Sequence, residues 1–430
     1  MPAFRSETLP TKDVLVASFL LGVFWAVANL LLVHGPSADL MALWLAADAF
    51  ADGRVGSIYP AETAYFPMLP PEDWGPRVED LDYVGAYYPY VYPPLFAALV
   101  SPLTKITDYA TFLRSASYVN VFMLLGAIVL AARAARLEMR LPAYIAIALF
   151  VLGTSKISML ALHENQPQIL VTLLIVLAIE RSVAGKSAAA GAALAGAAAI
   201  KVYPLLFIFV YAFRRDWRAV AAFAVTGGAL GLLSILLAGW PLHAEFLQQL
   251  RAISSTIMGT PNSYNLNTAL ATIFATDSLI PIDAATVGFI ASGTPIWEIV
   301  IKPAPWQHLN TALVLAVVAA FGLAMRREEE FSVTLFVGLT GAVSLLLPLS
   351  WAYYFIPLLL FSPMLIERYG KRQGAILLFC AVFPTLIFAV SALKQGFEFR
   401  YSDLVAAVAG LILWILLFTF APRRESPSRS

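Results

Sequence analysis

The chain has 430 residues, 60% of them hydrophobic and only 13% charged, with a formal net charge of +1 and a mean hydropathy of +0.78. Soluble globular chains carry about 25% charged residues, and apolar runs near 20 residues recur here, as bilayer spans require. The composition therefore excludes a soluble enzyme and a nucleic-acid binder, and it predicts an all-α polytopic membrane protein. A transmembrane barrel is excluded as well, because its strands would alternate with period 2 over about ten residues.

The first span is predicted at about 14–33, preceded by Arg5 and Lys12, which places the N-terminus in the cytoplasm. No small-residue cleavage site follows, so the run reads as a retained helix rather than a signal peptide. The segment 34–111 then forms a first periplasmic loop containing Asp39, Asp48 and the run Tyr90-Val91-Tyr92-Pro93-Pro94-Leu95. Within it, 92–103 is apolar but too short to span, and Pro93 and Pro94 can start a helix but not sit inside one. A half-embedded helix is expected there, with Tyr83, Tyr87, Tyr88, Tyr90 and Tyr92 at interfacial depth.

Spans follow at about 112–132, ending in Arg133, Arg136 and Arg140, and at about 142–162, ending in His163-Glu164-Asn165-Gln166. The next, about 167–179, returns to Arg181 and Lys186. The apolar stretch 187–213 lies between two basic clusters and is broken at Lys201-Val202-Tyr203-Pro204. Each arm of about a dozen residues would rise only roughly 18 Å, so a hairpin of short helices is expected, with Lys201 at its tip. The Ala/Gly-rich first arm allows close helix packing, and Gly227-x-x-x-Gly231 in the next span (about 217–237) offers a further packing face. A second periplasmic loop, 239–307, is expected to carry short amphipathic helices. Spans at about 308–325, 331–347, 352–366, 374–390 and 403–420 complete the chain, and Arg423 and Arg424 place the C-terminus inside. Twelve membrane helices in one domain, 1–430, satisfy the positive-inside rule. The lone cysteine, Cys380, cannot form an intrachain disulfide and is expected in the core. The absence of any Asn-x-Ser/Thr sequon leans toward a bacterial inner-membrane protein.

With this topology the polar residues away from the cytoplasmic turns gather on one face. Each has a bland meaning: Asp39 as a solvated acid or helix cap, Lys201 as a snorkelling cation, His163 and Glu164 as interfacial polar groups. Their convergence favours a site, because ionisable groups at membrane depth are costly. The chemistry that fits is group transfer from a lipid phosphate. Asp39 would take a proton from an acceptor hydroxyl, Lys201 would hold the phosphate, and Trp351 and Tyr92 would stack on sugar rings. No His-x-x-x-His or cysteine pair suggests a metal site. No Walker or dinucleotide glycine motif suggests a soluble nucleotide-sugar donor. No internal repeat is visible, which counts against a secondary transporter. A lipid or glycan transporter or flippase is the alternative from another class, and a scaffold for envelope assembly the third.

Five patches carry a family resemblance. They are Asp39 about twenty residues before a Gly-x-x-Tyr-like turn at Tyr59, Tyr92-Pro93-Pro94-Leu95-Phe96 with Ser101-Pro102-Leu103, Asn165-Gln166-Pro167-Gln168, Lys201-Val202-Tyr203-Pro204 with the Arg-rich turn to Arg218, and Pro348-Leu349-Ser350-Trp351. Together they resemble the GT-C integral-membrane glycosyltransferases, and more narrowly the polyprenyl-phosphate-mannose-dependent α-1,2-mannosyltransferases. Two positions depart from that family: Tyr353 and Tyr354 stand where it has a histidine, and Asn165 where it has glycine. The resemblance implies an inverting transfer with Asp39 as base, and no metal or cofactor. Lys201, Tyr203, Tyr92 and His163 would hold the donor phosphate and lipid. Glu164, Asn165, Gln166, Asn267, Trp351, Tyr353 and Tyr354 would contact sugar or acceptor. The implied partners are a polyprenyl-phosphate sugar, a glycolipid or glycan acceptor and membrane lipids. The site would face the periplasm.

Overall fold

The computed structural model describes residues 10–32, 35–61, 63–282, 297–390 and 401–422. Arg5, Arg423 and Arg424, which orient the two termini in the sequence argument, lie outside the described residues. The described chain is a helical bundle with a helical layer and a small sheet at one end. In chain order the helices are α1 (Thr11–Leu32), α2 (Ala38–Ala51), α3 (Trp74–Asp80), α4 (Pro94–Val100), α5 (Tyr109–Ala135), α6 (Leu141–Thr154) and α7 (Lys156–His163). Then come α8 (Gln168–Val183), α9 (Ser187–Ile200), α10 (Ile208–Phe213), α11 (Trp217–Ser254), α12 (Leu266–Phe274) and α13 (Ala304–Arg326). The last are α14 (Val333–Leu346), α15 (Ile356–Phe361), α16 (Pro363–Arg368), α17 (Lys371–Val382) and α18 (Ser402–Thr419).

Five of these, α1, α5, α11, α13 and α18, are long and apolar enough to cross a membrane. Large apolar side chains on their outer faces are open to the surroundings, Phe19, Leu30, Val225 and Leu236 among them. Such a surface is tolerable in lipid and not in water. The chain is a multi-pass membrane protein. Two expected spans are present in broken form. The span 142–162 is α6 and α7 joined at Ser155, whose extended backbone bridges Leu386. The span 352–366 is divided among a 3₁₀ turn, α15 and α16, with Pro357 and Pro363 at the starts of the two helices. Cys380, expected in the core, is exposed on α17.

In the bundle, α9 packs against both α8 and α11, and α8 against α5. Gly191 shows why α9 is made of alanine and glycine: a Cβ there would sit 2.0 Å from the Ala219 carbonyl oxygen of α11. The expected Gly227/Gly231 packing face is present only at Gly227, where a Cβ would meet Ala195 of α9 at 3.9 Å. A Cβ at Gly231 meets nothing within 4 Å, and both glycines also border an apolar cavity. The charged turns interlock. Arg133 pairs with Glu180 at 3.0 Å, and Arg214 donates to the carbonyls of Met325, in the last turn of α13, and of Glu328 and Glu330 beyond it.

Helix α11 is two helical stretches that meet in a kink at Gly239, the expected boundary between span and loop. Gly239 takes φ 73, ψ 159, a conformation only glycine adopts readily, and Pro241 follows. The His243 ring staples this kink, bonded to the Gly239 carbonyl at 2.7 Å and Ser234 Oγ at 2.8 Å. Beyond it the chain forms a three-stranded antiparallel sheet that the sequence did not suggest. Its strands are β1 (Thr256–Gly259), β2 (Ile280–Ile282) and β3 (Trp297–Ile301), with β3 central, Thr256 opposite Ile301 and Ile280 opposite Ile299.

The first loop folds as α2, α3 and α4 around a core of Leu40, Leu43, Trp44, Tyr59, Trp74, Tyr90 and Tyr92. Tyr87, Tyr90 and Tyr92, expected at the interface, are thus packing residues, with Tyr90 Oη donating to the Pro93 carbonyl at 2.8 Å. Pro94 opens α4 as its first residue. Asp48 is an anchor: its buried carboxylate accepts from Arg77 at 3.0 Å and Arg54 at 3.2 Å, and Lys105 lies at 3.5 Å.

Candidate active site

The site starts at the turn after α7. Asn165 has φ 46, its N–H donates to the Leu162 carbonyl, and the Gln166 N–H donates to Ala161. This is a left-handed helix stop, in which glycine is commonest and asparagine the next choice. The replacement of the family glycine by Asn165 is therefore a backbone matter. Its side chain accepts from Asn120 at 3.1 Å and is not among the residues lining the cavities below.

Two residues leaving this turn organise the centre. Glu164 reaches the start of α2, where Ser37 makes no side-chain cap. Its Oε2 accepts from the Ala38 N–H at 2.8 Å and the Asp39 N–H at 3.3 Å, satisfying donors that α2 cannot pair itself and meeting its positive end with a carboxylate. Gln166, fully buried, donates its amide N–H to Asp39 Oδ2. Its carbonyl oxygen accepts from Tyr92 Oη at 2.9 Å and from Lys201 Nζ at 3.3 Å.

Lys201 follows α9 in extended conformation, φ −135, ψ 134. Pro204 lies within the 3₁₀ turn that comes next, Tyr203–Phe207. Three rings surround the ammonium: Tyr354 at 4.5 Å, Tyr353 at 4.9 Å and Tyr92 at 5.3 Å from Nζ to the ring centroids. These cation–π contacts and the Gln166 carbonyl replace part of the hydration a buried ammonium loses. Tyr203 is fixed by Gln168 Nε2, which donates to its hydroxyl at 2.7 Å, and its ring lies 5.0 Å from that of Tyr354. The two tyrosines that replace the family histidine are thus two of the three rings facing the lysine.

Asp39 is held in an acidic, dehydrated setting. Burial and the Glu164 charge raise its carboxyl from the usual range to about 7, against the lowering pull of Gln166 and Lys201. A carboxylate at that value is poised to accept a proton near neutral pH. Glu164 also lies 3.3 Å from His163 Nδ1 and pushes the imidazole upward.

A cavity of about 340 Å³ joins Asp39, Lys201, Tyr92, Tyr203, Trp351, Tyr353 and Tyr354. Its apolar walls include Phe246, Leu250 and Leu347. A second cavity of about 170 Å³ shares Asp39, Trp351 and Tyr353 and adds Glu164. A third, of about 380 Å³, is lined almost wholly by apolar residues and shares Pro93, Val202, Leu205 and Phe246 with the first. Of the residues singled out from sequence, three others besides Asn165 stand apart from these walls. Gln166, expected to contact sugar or acceptor, instead bonds Asp39 and Lys201 from behind the cavity lining. His163 is half-exposed. Asn267 lies on α12 and accepts from Trp306 Nε1 at 2.9 Å. Sequence reasoning missed Tyr88, Met68, Asn262 and Trp297, which complete the walls. Tyr88 belonged to a visible tyrosine run, whereas nothing local marked Trp297.

Among curated proteins none matches the sequence. Among solved structures the chain is similar to the crystal structure of ArnT from Cupriavidus metallidurans bound to undecaprenyl phosphate. Identity is 14%, coverage 96% of this chain and 78% of that one, and the TM-score 0.35, a likeness too low to carry an argument about this chain. Residues 90–347 match the model of glycosyltransferase family 87. That match takes in α4 through α14, including the Gln166 turn and the Lys201 break, and covers more than half of the sequence, so the chain belongs to glycosyltransferase family 87.

Proposed function

We propose that this protein is an inverting glycosyltransferase of the GT-C type, moving a sugar from a polyprenyl-phosphate donor to an acceptor hydroxyl on the periplasmic face of a bacterial inner membrane. Mannose is the sugar the family resemblance implies. The observation that carries the reading is the placement of Asp39 and Lys201 in one cavity, each bonded to Gln166.

In this reading the lipid phosphate enters beside Lys201, whose caged ammonium faces the charge that grows on the leaving oxygen. The isoprenoid chain runs into the apolar cavity beyond Pro93 and Phe246. Asp39 accepts the proton of the acceptor hydroxyl as its oxygen forms a bond to the anomeric carbon. The bond from that carbon to the phosphate oxygen breaks, and the electron pair leaves with polyprenyl phosphate. Attack opposite the leaving group inverts the anomeric centre, so a β-linked donor yields an α-linked product. Asp39 then returns its proton to water. Asp39 and Lys201 carry this chemistry without a metal or cofactor.

The test uses the full chain in liposomes with decaprenyl-phosphate [¹⁴C]mannose and a panel of saccharide acceptors. Transfer by the natural protein and its loss in Asp39→Asn are expected. Full transfer by that variant removes Asp39 as the base, and no donor turnover by the natural protein removes the reading.

A further inference from the structure

Two cavities meet at Asp39, and their charges differ. Asp39, Met68, Tyr88, Trp351 and Tyr353 line both. Lys201 lines only the larger and Glu164 only the smaller. In the smaller cavity the charged wall residues are thus two acids. An anion entering it would leave water to face like charges, so a lipid phosphate belongs on the Lys201 side. A neutral polyol suits the acidic side, because ionised carboxylates only accept hydrogen bonds and hydroxyls can donate them.

The rest of the smaller wall fits the same ligand. Trp297, Tyr88 and Trp351 present aromatic surface, which packs on the C–H faces of a sugar ring. Thr260 and Asn262 add polar groups. Trp297 is a prebuilt wall. It opens the central strand β3, its indole N–H donates to the Pro67 carbonyl at 2.9 Å, and its ring meets Tyr88 edge-on at 6.1 Å and 76°.

We propose that the smaller cavity is the acceptor subsite, that it takes a neutral saccharide, and that Trp297 and Asn262 determine its specificity. The proposal rests on Asp39 acting as base. It puts the acceptor on the acidic side of that carboxylate and the leaving phosphate on the cationic side, the opposed arrangement an inverting displacement requires. The acceptor hydroxyl loses its proton to Asp39 and bonds the anomeric carbon, while the bond to the phosphate oxygen breaks toward Lys201.

The experiment measures transfer from decaprenyl-phosphate [¹⁴C]mannose to methyl α-mannopyranoside by the full chain in liposomes, for the natural sequence, Trp297→Ala and Asn262→Ala. Asn262→Ala is the variant that leaves the local backbone bonding in place, because Asn262 holds Ala352 through its backbone carbonyl, at 2.9 Å. Each variant is expected to raise the KM for the mannoside about tenfold, with the donor KM moved less than about twofold, as loss of acceptor binding alone requires. Added undecaprenyl phosphate should compete with the donor and not with the mannoside. An unchanged mannoside KM in both variants, competition between undecaprenyl phosphate and the mannoside, or use of a serine peptide in place of every saccharide overturns the proposal. Each of these results includes donor turnover, so it leaves the transferase reading standing, whereas absence of donor turnover in the natural protein sinks that reading itself.

Discussion

Asp39 and Lys201 share one partner, the side chain of Gln166, which donates to the acid and accepts from the cation at 3.3 Å. A glutamine can do both because its amide carries donor and acceptor on one rigid plane. Carboxylate and ammonium are thereby held in one cavity without forming the direct ion pair that would occupy both.

Replacing Asp39 by asparagine keeps the shape and removes the proton acceptor. Transfer should fall by about 10²–10⁴, the usual worth of a positioned base. In the natural protein kcat/KM should fall tenfold per pH unit below about 7, because the raised carboxyl is protonated there and only the ionised form accepts a proton. A pH–rate profile in liposomes checks the slope; a limb near pH 4 would show that Asp39 is not in the setting described.

Gln166 and Glu164 should move that limb in opposite directions. Gln166→Leu removes a hydrogen bond that lowers the Asp39 pKa, so the limb moves to higher pH. Glu164→Gln removes a charge that raises it, so the limb moves to lower pH. The glutamine can still accept from the start of α2, and the lost charge should cost only about 0.3–1 kcal/mol at that helix end. Parallel profiles of the two variants decide, and shifts of the same sign would contradict the assignment.

Lys201→Ala should weaken donor use and leave the fold largely intact. The ammonium is buried among three rings, where desolvation offsets much of what its contacts contribute. The donor KM is expected to rise at least about tenfold, the scale of a lost charge-assisted contact of 1.5–3 kcal/mol, while Tm shifts by a few degrees or less. An unaltered donor KM would remove the phosphate-holding role.

Gly191→Ala should destabilise the bundle by about 1–3 kcal/mol, as overpacking does, because the added Cβ would lie 2.0 Å from a carbonyl oxygen of α11. Gly231→Ala, where a Cβ meets nothing within 4 Å, should leave Tm nearly unchanged. Thermal unfolding in one detergent compares the pair.

Much of this architecture is legible in hydropathy. Spans near 112–132 and 308–325 appear as α5 and α13 because a bilayer imposes length and apolarity on any segment that crosses it. Proline and charge also marked the Lys201 break and the start of α4. The sequence was a poorer guide where the chain leaves the regular pattern. The expected end of a span at Gly239 is a kink between two helical stretches, but nothing local showed that the second runs on to Ser254 or that the His243 ring bridges the kink. The β1–β3–β2 sheet went unseen because its strands are short and pair with partners distant in sequence, Ile280 with Ile299 and Thr256 with Ile301.

The sequence by itself determined that the chain crosses a membrane many times, and it marked Asp39 and Lys201 as residues out of place in an apolar chain. Only the tertiary structure decided what those residues do to one another. Gln166 lies 127 residues from Asp39, 74 from Tyr92 and 35 from Lys201, and Glu164 caps a helix 126 residues away. Hydropathy is a property of each segment and is written locally. A hydrogen-bonded centre is a property of distance in space, which exists once packing has brought the segments together.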